Sequence, residues 1–286
     1  MADLQFEYVE GQVRPGFPAL LADYQRLSVE AAGDPHVLLN VRYGPHERQR
    51  YDLFPALGTA EGVLLYFHAG YWQSRDKSQF QFLAPYVQRR GLHVCLVNYP
   101  LCPEVSLADL VQAVRPSVTG VRADLQRAGL EDLPLVVTGH SAGAHLAAEL
   151  SVISAALSHA PQDQVDGVMG ISGVYDPEPL VGTTLNHNLQ LDFHTAQAAN
   201  VTSRVAAGAA PGLWVVGGAE TPAFIRQNAR MDEQWRQAGN ASTSVVVPGA
   251  DHFSILQAVC RWPGKPGSVF ENWWAQVVNF HRQRSS

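Results

Sequence analysis

Residues 135–150 read Leu-Val-Val-Thr-Gly-His-Ser-Ala-Gly-Ala-His-Leu-Ala-Ala-Glu-Leu, and this stretch decides the fold. An apolar run, Leu135-Val136-Val137, leads into Gly139-His140-Ser141-Ala142-Gly143, after which an Ala/Leu-rich helical pattern begins. G-x-S-x-G between a strand and a helix is the context of a nucleophile elbow. The turn is so sharp that the serine takes a strained backbone conformation. Glycines on either side remove side chains that would collide with the strand and the helix. The Ser141 hydroxyl is thereby lifted clear of the sheet, at the positive end of a helix. As a bare string the motif is weak, because Gly and Ser are common; its flanking strand and helix give it weight. A serine N-cap after a Gly turn would account for Ser141 but not for both glycines.

Outward from the elbow, apolar strand-like runs alternate with amphipathic helical stretches. Strands are expected near residues 63–67, 93–97, 135–137, 165–171, 213–216 and 244–247. Helices are expected near 77–89, 107–128, 142–158, 224–238 and 269–282. Residues 37–43 and 51–54 read as two short strands, an antiparallel pair at the sheet edge. Near-continuous hydrophobic strands separated by helices indicate a mostly parallel sheet covered on both faces. In such α/β layers, ligands collect at the carboxyl ends of the strands. The opening residues, to about 36, form an irregular or helical arm. Residues 177–210 are polar and out of rhythm, the signature of a small cap inserted between strands. One α/β domain spanning 1–286 is expected.

Composition narrows the class. Of 286 residues, 46% are hydrophobic and 16% charged, which describes a globular chain with a large core. A net charge of −6 without a basic run argues against a nucleic-acid partner. Nowhere do about 18 apolar residues run together, so no membrane helix is expected. The start, Met-Ala-Asp-Leu-Gln-Phe-Glu-Tyr-Val-Glu-Gly, lacks the apolar stretch of a signal peptide. The three cysteines, Cys95, Cys102 and Cys260, are widely spaced and show no metal pattern. A cytoplasmic location fits these features. Asn200-Val201-Thr202 and Asn240-Ala241-Ser242 match the glycosylation pattern, which is coincidental in that compartment. A homodimer is compatible with the sequence.

A serine hydroxyl at neutral pH needs a base within hydrogen-bond reach. Among eleven histidines, His252 alone follows the last strand in a Gly-containing loop, Pro248-Gly249-Ala250-Asp251-His252-Phe253. The base in turn needs an acid to fix its tautomer. Glu220, just beyond the strand at 213–216, is one candidate; Asp251 is the rival, but as the immediate neighbour of His252 it must fold back to reach the ring. The chain order Ser141…Glu220…His252 is that of an α/β-hydrolase. Oxyanion donors are expected from the N–H of Ala142 and from Gly70 and Tyr71, in the loop His68-Ala69-Gly70-Tyr71-Trp72 after the first long parallel strand. His68 braces that loop, and His145 is buried under the elbow helix. Trp72, Tyr99 and Phe253 follow strands and are candidates to line an aromatic-accepting pocket, with core packing as the alternative.

The stretches Tyr66 to Trp72, Gly139 to His145, Ile171-Ser172-Gly173-Val174-Tyr175-Asp176, Leu185-Asn186, Glu220-Thr221-Pro222-Ala223-Phe224 and Asp251-His252-Phe253 resemble the kynurenine formamidase (arylformamidase) family. The similarity runs from about Tyr51 to the C-terminus. It implies an α/β-hydrolase fold of the esterase/lipase branch, with Glu220 where that family places its triad acid. It also implies hydrolysis of an aryl formamide such as N-formylkynurenine to formate and an arylamine. Two positions depart from the family pattern: Ala69 replaces the first glycine of His-Gly-Gly-Tyr-Trp, and Asn200-Val201-Thr202 stands where a Ser-Pro turn is usual.

The expected activity is therefore that of a serine hydrolase acting on a small aryl formamide, with no metal and no organic cofactor. Alternatives are a carboxylesterase for short-chain or aryl esters and a non-catalytic ligand-binding homologue. A metal-dependent amidase built on His187, Asp192 and His194 is disfavoured, since their spacing matches no metal motif.

Overall fold

A computed structural model describes residues 3–157 and 163–285. Strands β1 (Leu38–Arg42), β2 (Arg50–Phe54), β3 (Gly62–Phe67), β4 (Leu92–Val97), β5 (Leu135–His140), β6 (Gly167–Ile171), β7 (Gly212–Gly217) and β8 (Ser242–Val247) form one sheet. Its order is β1-β2-β4-β3-β5-β6-β7-β8. β2 pairs antiparallel with both β1 and β4, and all other neighbours are parallel. This is the α/β-hydrolase sheet expected from the sequence, with the antiparallel pair at its edge.

Alternation along the strands feeds two cores. Val63, Leu65 and Phe67 of β3 face one cluster, with Cys95 and Val97 of β4 and Leu135 and Val137 of β5. Leu64 and Tyr66, with Val94, Leu96 and Val136, face the other. Period-two geometry sends successive side chains to opposite faces, so a strand buried on both sides must be apolar throughout. Each fully buried Val or Leu contributes about 1.5–3 kcal/mol by leaving water. The helices that cover these faces are α1 (Leu4–Tyr8), α2 (Phe17–Ala32), α3 (Ala84–Gln88), α4 (Leu107–Arg127), α5 (Ala142–Ala156), α6 (Asn186–Leu189), α7 (Phe193–Ala198), α8 (Pro222–Gln237), α9 (Ile255–Val259) and α10 (Val269–Ser285). None is long and apolar enough to cross a membrane.

One expected helix is corrected. Residues 77–89 break into 3₁₀ turns at Lys77–Gln79 and Gln81–Leu83, followed by the short α3. The cause is Pro85, which lacks an N–H and fits best in a first helical turn, so α3 begins beside it. Upstream, Asp76 and Gln79 close a capping box that starts a separate turn. For the expected helix 142–158, Ser158 lies outside the described residues.

The insertion at 177–210 does lie between β6 and β7, as 3₁₀ turns Glu178–Gly182 and Val201–Arg204 around α6 and α7. It is tied to α5: His145 Nε2 donates to the Ala199 carbonyl at 2.8 Å, and Arg204 pairs with the buried Glu149. Asn200, in the departure from the family pattern, is buried and caps its turn by accepting from Thr202 N at 3.0 Å. The expected arm is helical and folds back over the carboxyl edge of the sheet, with α1 packed against α8.

Candidate active site

At the elbow, Ser141 has φ 57° and ψ −116°, a backbone conformation that costs a non-glycine residue energy. The surroundings enforce it. A Cβ on Gly139 would lie 2.2 Å from the carbonyl of Gly143, and one on Gly143 would lie 1.9 Å from the Phe67 oxygen. Both glycines are thus required by backbone approach, which a simple N-cap would not demand. Ser141 N donates to the Ile171 carbonyl at 2.8 Å and fixes the elbow to β6. Ala142 opens α5, so its N–H belongs to the first turn and has no acceptor within the helix.

His252 lies beside this elbow, its ring 4.7 Å from that of His140. Nδ1 of His252 donates to Glu220 Oε2 at 2.7 Å. That bond fixes the tautomer: with the proton on Nδ1, the neutral ring keeps its lone pair on Nε2. The acid is itself held, since Glu220 Oε1 accepts from Ser172 Oγ at 2.5 Å and from Gly217 N at 2.7 Å. Ser141, His252 and Glu220 are only 1%, 3% and 6% exposed. Asp251, the rival, serves the turn instead: its Oδ1 accepts from Phe253 N at 3.0 Å and Ser254 N at 2.8 Å. Partial burial raises its pKa, but these backbone donors outweigh it and hold the carboxyl below its ordinary value.

The loop after β3 carries left-handed residues in succession: Gly70 at φ 128°, Tyr71 at 49° and Trp72 at 59°. Gly70 is obligatory, because a Cβ there would meet the Ser74 oxygen at 2.2 Å. His68 braces the loop as expected. Its Nδ1 donates to the Ala69 carbonyl at 2.7 Å, its ring stacks 4.2 Å from Tyr99, and burial lowers its pKa to about 4. It stays neutral. The neighbour of the nucleophile, His140, is also pushed well below the ordinary histidine range, first by burial and then by the adjacent His252.

The three aromatic candidates separate. Trp72 and Tyr99 are 0% exposed, so the structure gives them core positions: Trp72 meets the His145 ring edge-on at 5.2 Å, and Tyr99 Oη donates to the His68 carbonyl at 2.7 Å. Phe253 remains partly exposed beside His252, with ring centroids 5.2 Å apart, and packs on Phe17 of α2 at 3.7 Å.

Several site residues escape the sequence. Ser172, at φ 49° just after β6, orients Glu220; the sequence placed it in a family-like stretch but gave it no role. The arm supplies more. The Tyr71 hydroxyl donates to the Tyr8 carbonyl, Thr221 Oγ1 donates to the Glu7 carbonyl at 2.7 Å, and Gln12 Nε2 donates to Thr221 Oγ1 at 2.6 Å. Phe224 packs 4.4 Å from the His252 ring and 5.7 Å from Tyr8. As for the metal alternative, Asp192 caps α7 by accepting from Thr195 N at 2.7 Å. Among the described residues, no group of three or more His, Cys, Asp or Glu side chains is clustered as metal ligands would be.

Known proteins resemble this chain in sequence and fold. Residues 64–256 match a family described as having the alpha/beta hydrolase fold. A kynurenine formamidase of Salmo salar is 30% identical over 79% of this chain and 78% of its own length. One of Danio rerio is 29% identical over 77% and 76%. The chain belongs to the kynurenine formamidase family of α/β-hydrolases. A solved structure from Silicibacter sp. tm1040, provisionally described as a thioesterase, is 27% identical with a TM-score of 0.80, covering 93% of this chain and 97% of its own. Membership of the kynurenine formamidase family makes the chain a hydrolase and gives the Ser141, Glu220 and His252 geometry a chemical setting.

Proposed function

We propose that this hydrolase cleaves an aryl formamide such as N-formylkynurenine through a formyl-enzyme on Ser141. The observation that carries this is the buried 2.7 Å bond from His252 Nδ1 to Glu220, beside a strained serine elbow. His252 Nε2 takes the Ser141 proton as Oγ bonds to the formyl carbon. The oxyanion that develops accepts hydrogen bonds from the N–H groups of Gly70, Tyr71 and Ala142. The tetrahedral intermediate collapses by breaking the C–N bond, and the arylamine leaves with the proton from His252. Water, deprotonated by the same imidazole, then attacks the formyl ester; formate departs and the proton returns to Ser141. Glu220 stabilises the imidazolium in both halves.

The formyl group is the acyl half that the family resemblance implies, and Ser141, which would carry it, is buried. The leaving group meets Phe253 at the rim. Ser141→Ala is expected to lower kcat about 10³-fold or more and to abolish fluorophosphonate labelling, with an unchanged circular dichroism spectrum. Turnover near wild type in that variant would exclude the serine route. On the intact enzyme, kcat/KM for N-formylkynurenine should exceed that for phenyl acetate; the opposite order would indicate an esterase.

A further inference from the structure

Arg75 stands on the same loop as the oxyanion donors, with a charge that nothing answers. Among the described residues its guanidinium makes no ion pair and no hydrogen bond. Its cation instead sits over the Phe17 ring, 6.0 Å from the centroid. The nearest carboxylate in sequence, Asp76, is engaged elsewhere: it accepts from Asn98 Nδ2 at 2.5 Å and from Ser78 N at 3.0 Å, and faces Arg48 at 3.5 Å. Arg48, the other arginine of this region, is fully occupied with carbonyls of Tyr99 and of Arg75 itself.

Three features set Arg75 apart from an ordinary surface arginine. It is partly buried, and that burial lowers its pKa while leaving it a cation at neutral pH. A half-desolvated charge without a partner is costly, and such cost is tolerated where it serves a ligand. Its backbone is left-handed, φ 77°, which a side chain other than glycine adopts only when the surroundings impose it. Its stem lies over the oxyanion loop: a Cβ on Gly70 would be 2.9 Å from Arg75 Cγ.

Its neighbours lead straight to the reacting atoms. Phe17, beneath the guanidinium, packs on Phe253 at 3.7 Å, and Phe253 meets the His252 ring at 5.2 Å. The same positive charge adds to burial and to His252 in depressing His140, the residue before Ser141. The cation therefore stands at the outer rim, on the side where a leaving group would exit, above an aromatic wall.

We propose that Arg75 is a specificity residue that holds a carboxylate on the leaving-group half of the substrate, with the aryl ring against Phe17 and Phe253. The planar fork of a guanidinium matches a carboxylate bidentately, and one cation matches one negative charge. This rests on the formamidase reading above, and the experiment separates the two. kcat/KM is measured by formate release for N-formylkynurenine and for its carboxamide, which lacks only the carboxylate charge, in the wild type, Arg75→Gln, Arg75→Lys and Arg75→Gly. The wild type should prefer the acid by about 10- to 100-fold, the range of a charge-assisted hydrogen bond, mainly through KM. Arg75→Gln should bring the ratio close to one, and Arg75→Lys should restore part of it. Arg75→Gly, which suits a positive φ, provides a folded control that must lose the preference too. An acid preference retained in Arg75→Gln and Arg75→Gly, or absent from the wild type, overturns the proposal. Failure of the serine mechanism would show separately, as carboxamide turnover by Ser141→Ala at the wild-type rate.

Discussion

Glu220 and Asp251 are both carboxylates within reach of one loop, and their different work follows from where each lone pair is directed. Glu220 shares its oxygens among His252 Nδ1, Ser172 Oγ and Gly217 N. Asp251 gives its Oδ1 to the backbone of its own turn. Glu220→Gln keeps the shape but replaces the charge that stabilises imidazolium, and its amide can present a donor to Nδ1, forcing the wrong tautomer. We expect kcat to fall roughly 10³-fold in Glu220→Gln. Asp251→Asn retains an acceptor for the same N–H groups and should cost less than about 10-fold. Steady-state kinetics of the two variants decide the matter, and the reverse ranking would move the acid to Asp251. The choice was open in the sequence because it depends on how a side chain reaches across 32 positions.

The loop after β3 is an element held by its own electrostatics. Asp76, at the N-terminus of the turn Lys77–Gln79, is partly buried, which would raise its pKa. The N–H of Ser78 and the amide of Asn98 more than compensate, and the pKa falls from 3.8 to about 2. A folded-state pKa below the unfolded value gives stability that is complete above pH 3.8 and lost as pH falls toward 2. With 39% of the side chain exposed, solvent screening limits this contribution to about 1 kcal/mol. Asp76→Asn should therefore be less stable than wild type at pH 6, and the gap should narrow markedly by pH 2.5. Urea midpoints at the two pH values test this; a gap that widens in acid would contradict it. The strands and the elbow were legible because a two-sided burial leaves continuous apolar runs and a close backbone approach leaves glycines. The turns at 77–83 were not, because Pro85 resets the helix start within an otherwise helical pattern.

At the scale of the whole molecule, the contacts least visible in the sequence are those between its distant ends. Gln12 meets Thr221 across 209 positions and Gln227 meets Tyr8 across 219, so no local pattern announces that the arm closes over the acid loop. Ser141 and His252, by contrast, were legible because each follows a recognisable strand at the carboxyl edge. The same global packing governs the thiols. Cys95 lies in β4 between β2 and β3, Cys102 in the loop whose N–H donates to the Trp72 carbonyl, and Cys260 at the end of α9. All three are free and buried. Burial raises the pKa of Cys102 and Cys260 to about 11 and that of Cys95 further still. Thiolate, not thiol, attacks a disulfide reagent, so both inaccessibility and a raised pKa suppress reaction. The native protein should resist a dithiobenzoate reagent at pH 8 and react at three sites once unfolded. In low denaturant, Cys102 and Cys260 should react before Cys95, because loops and helix ends open locally whereas β4 is released only when the sheet parts. Mass spectrometry of partly labelled protein gives the order, and early modification of Cys95 would mean that the sheet edge at β1 and β2 opens independently of the site.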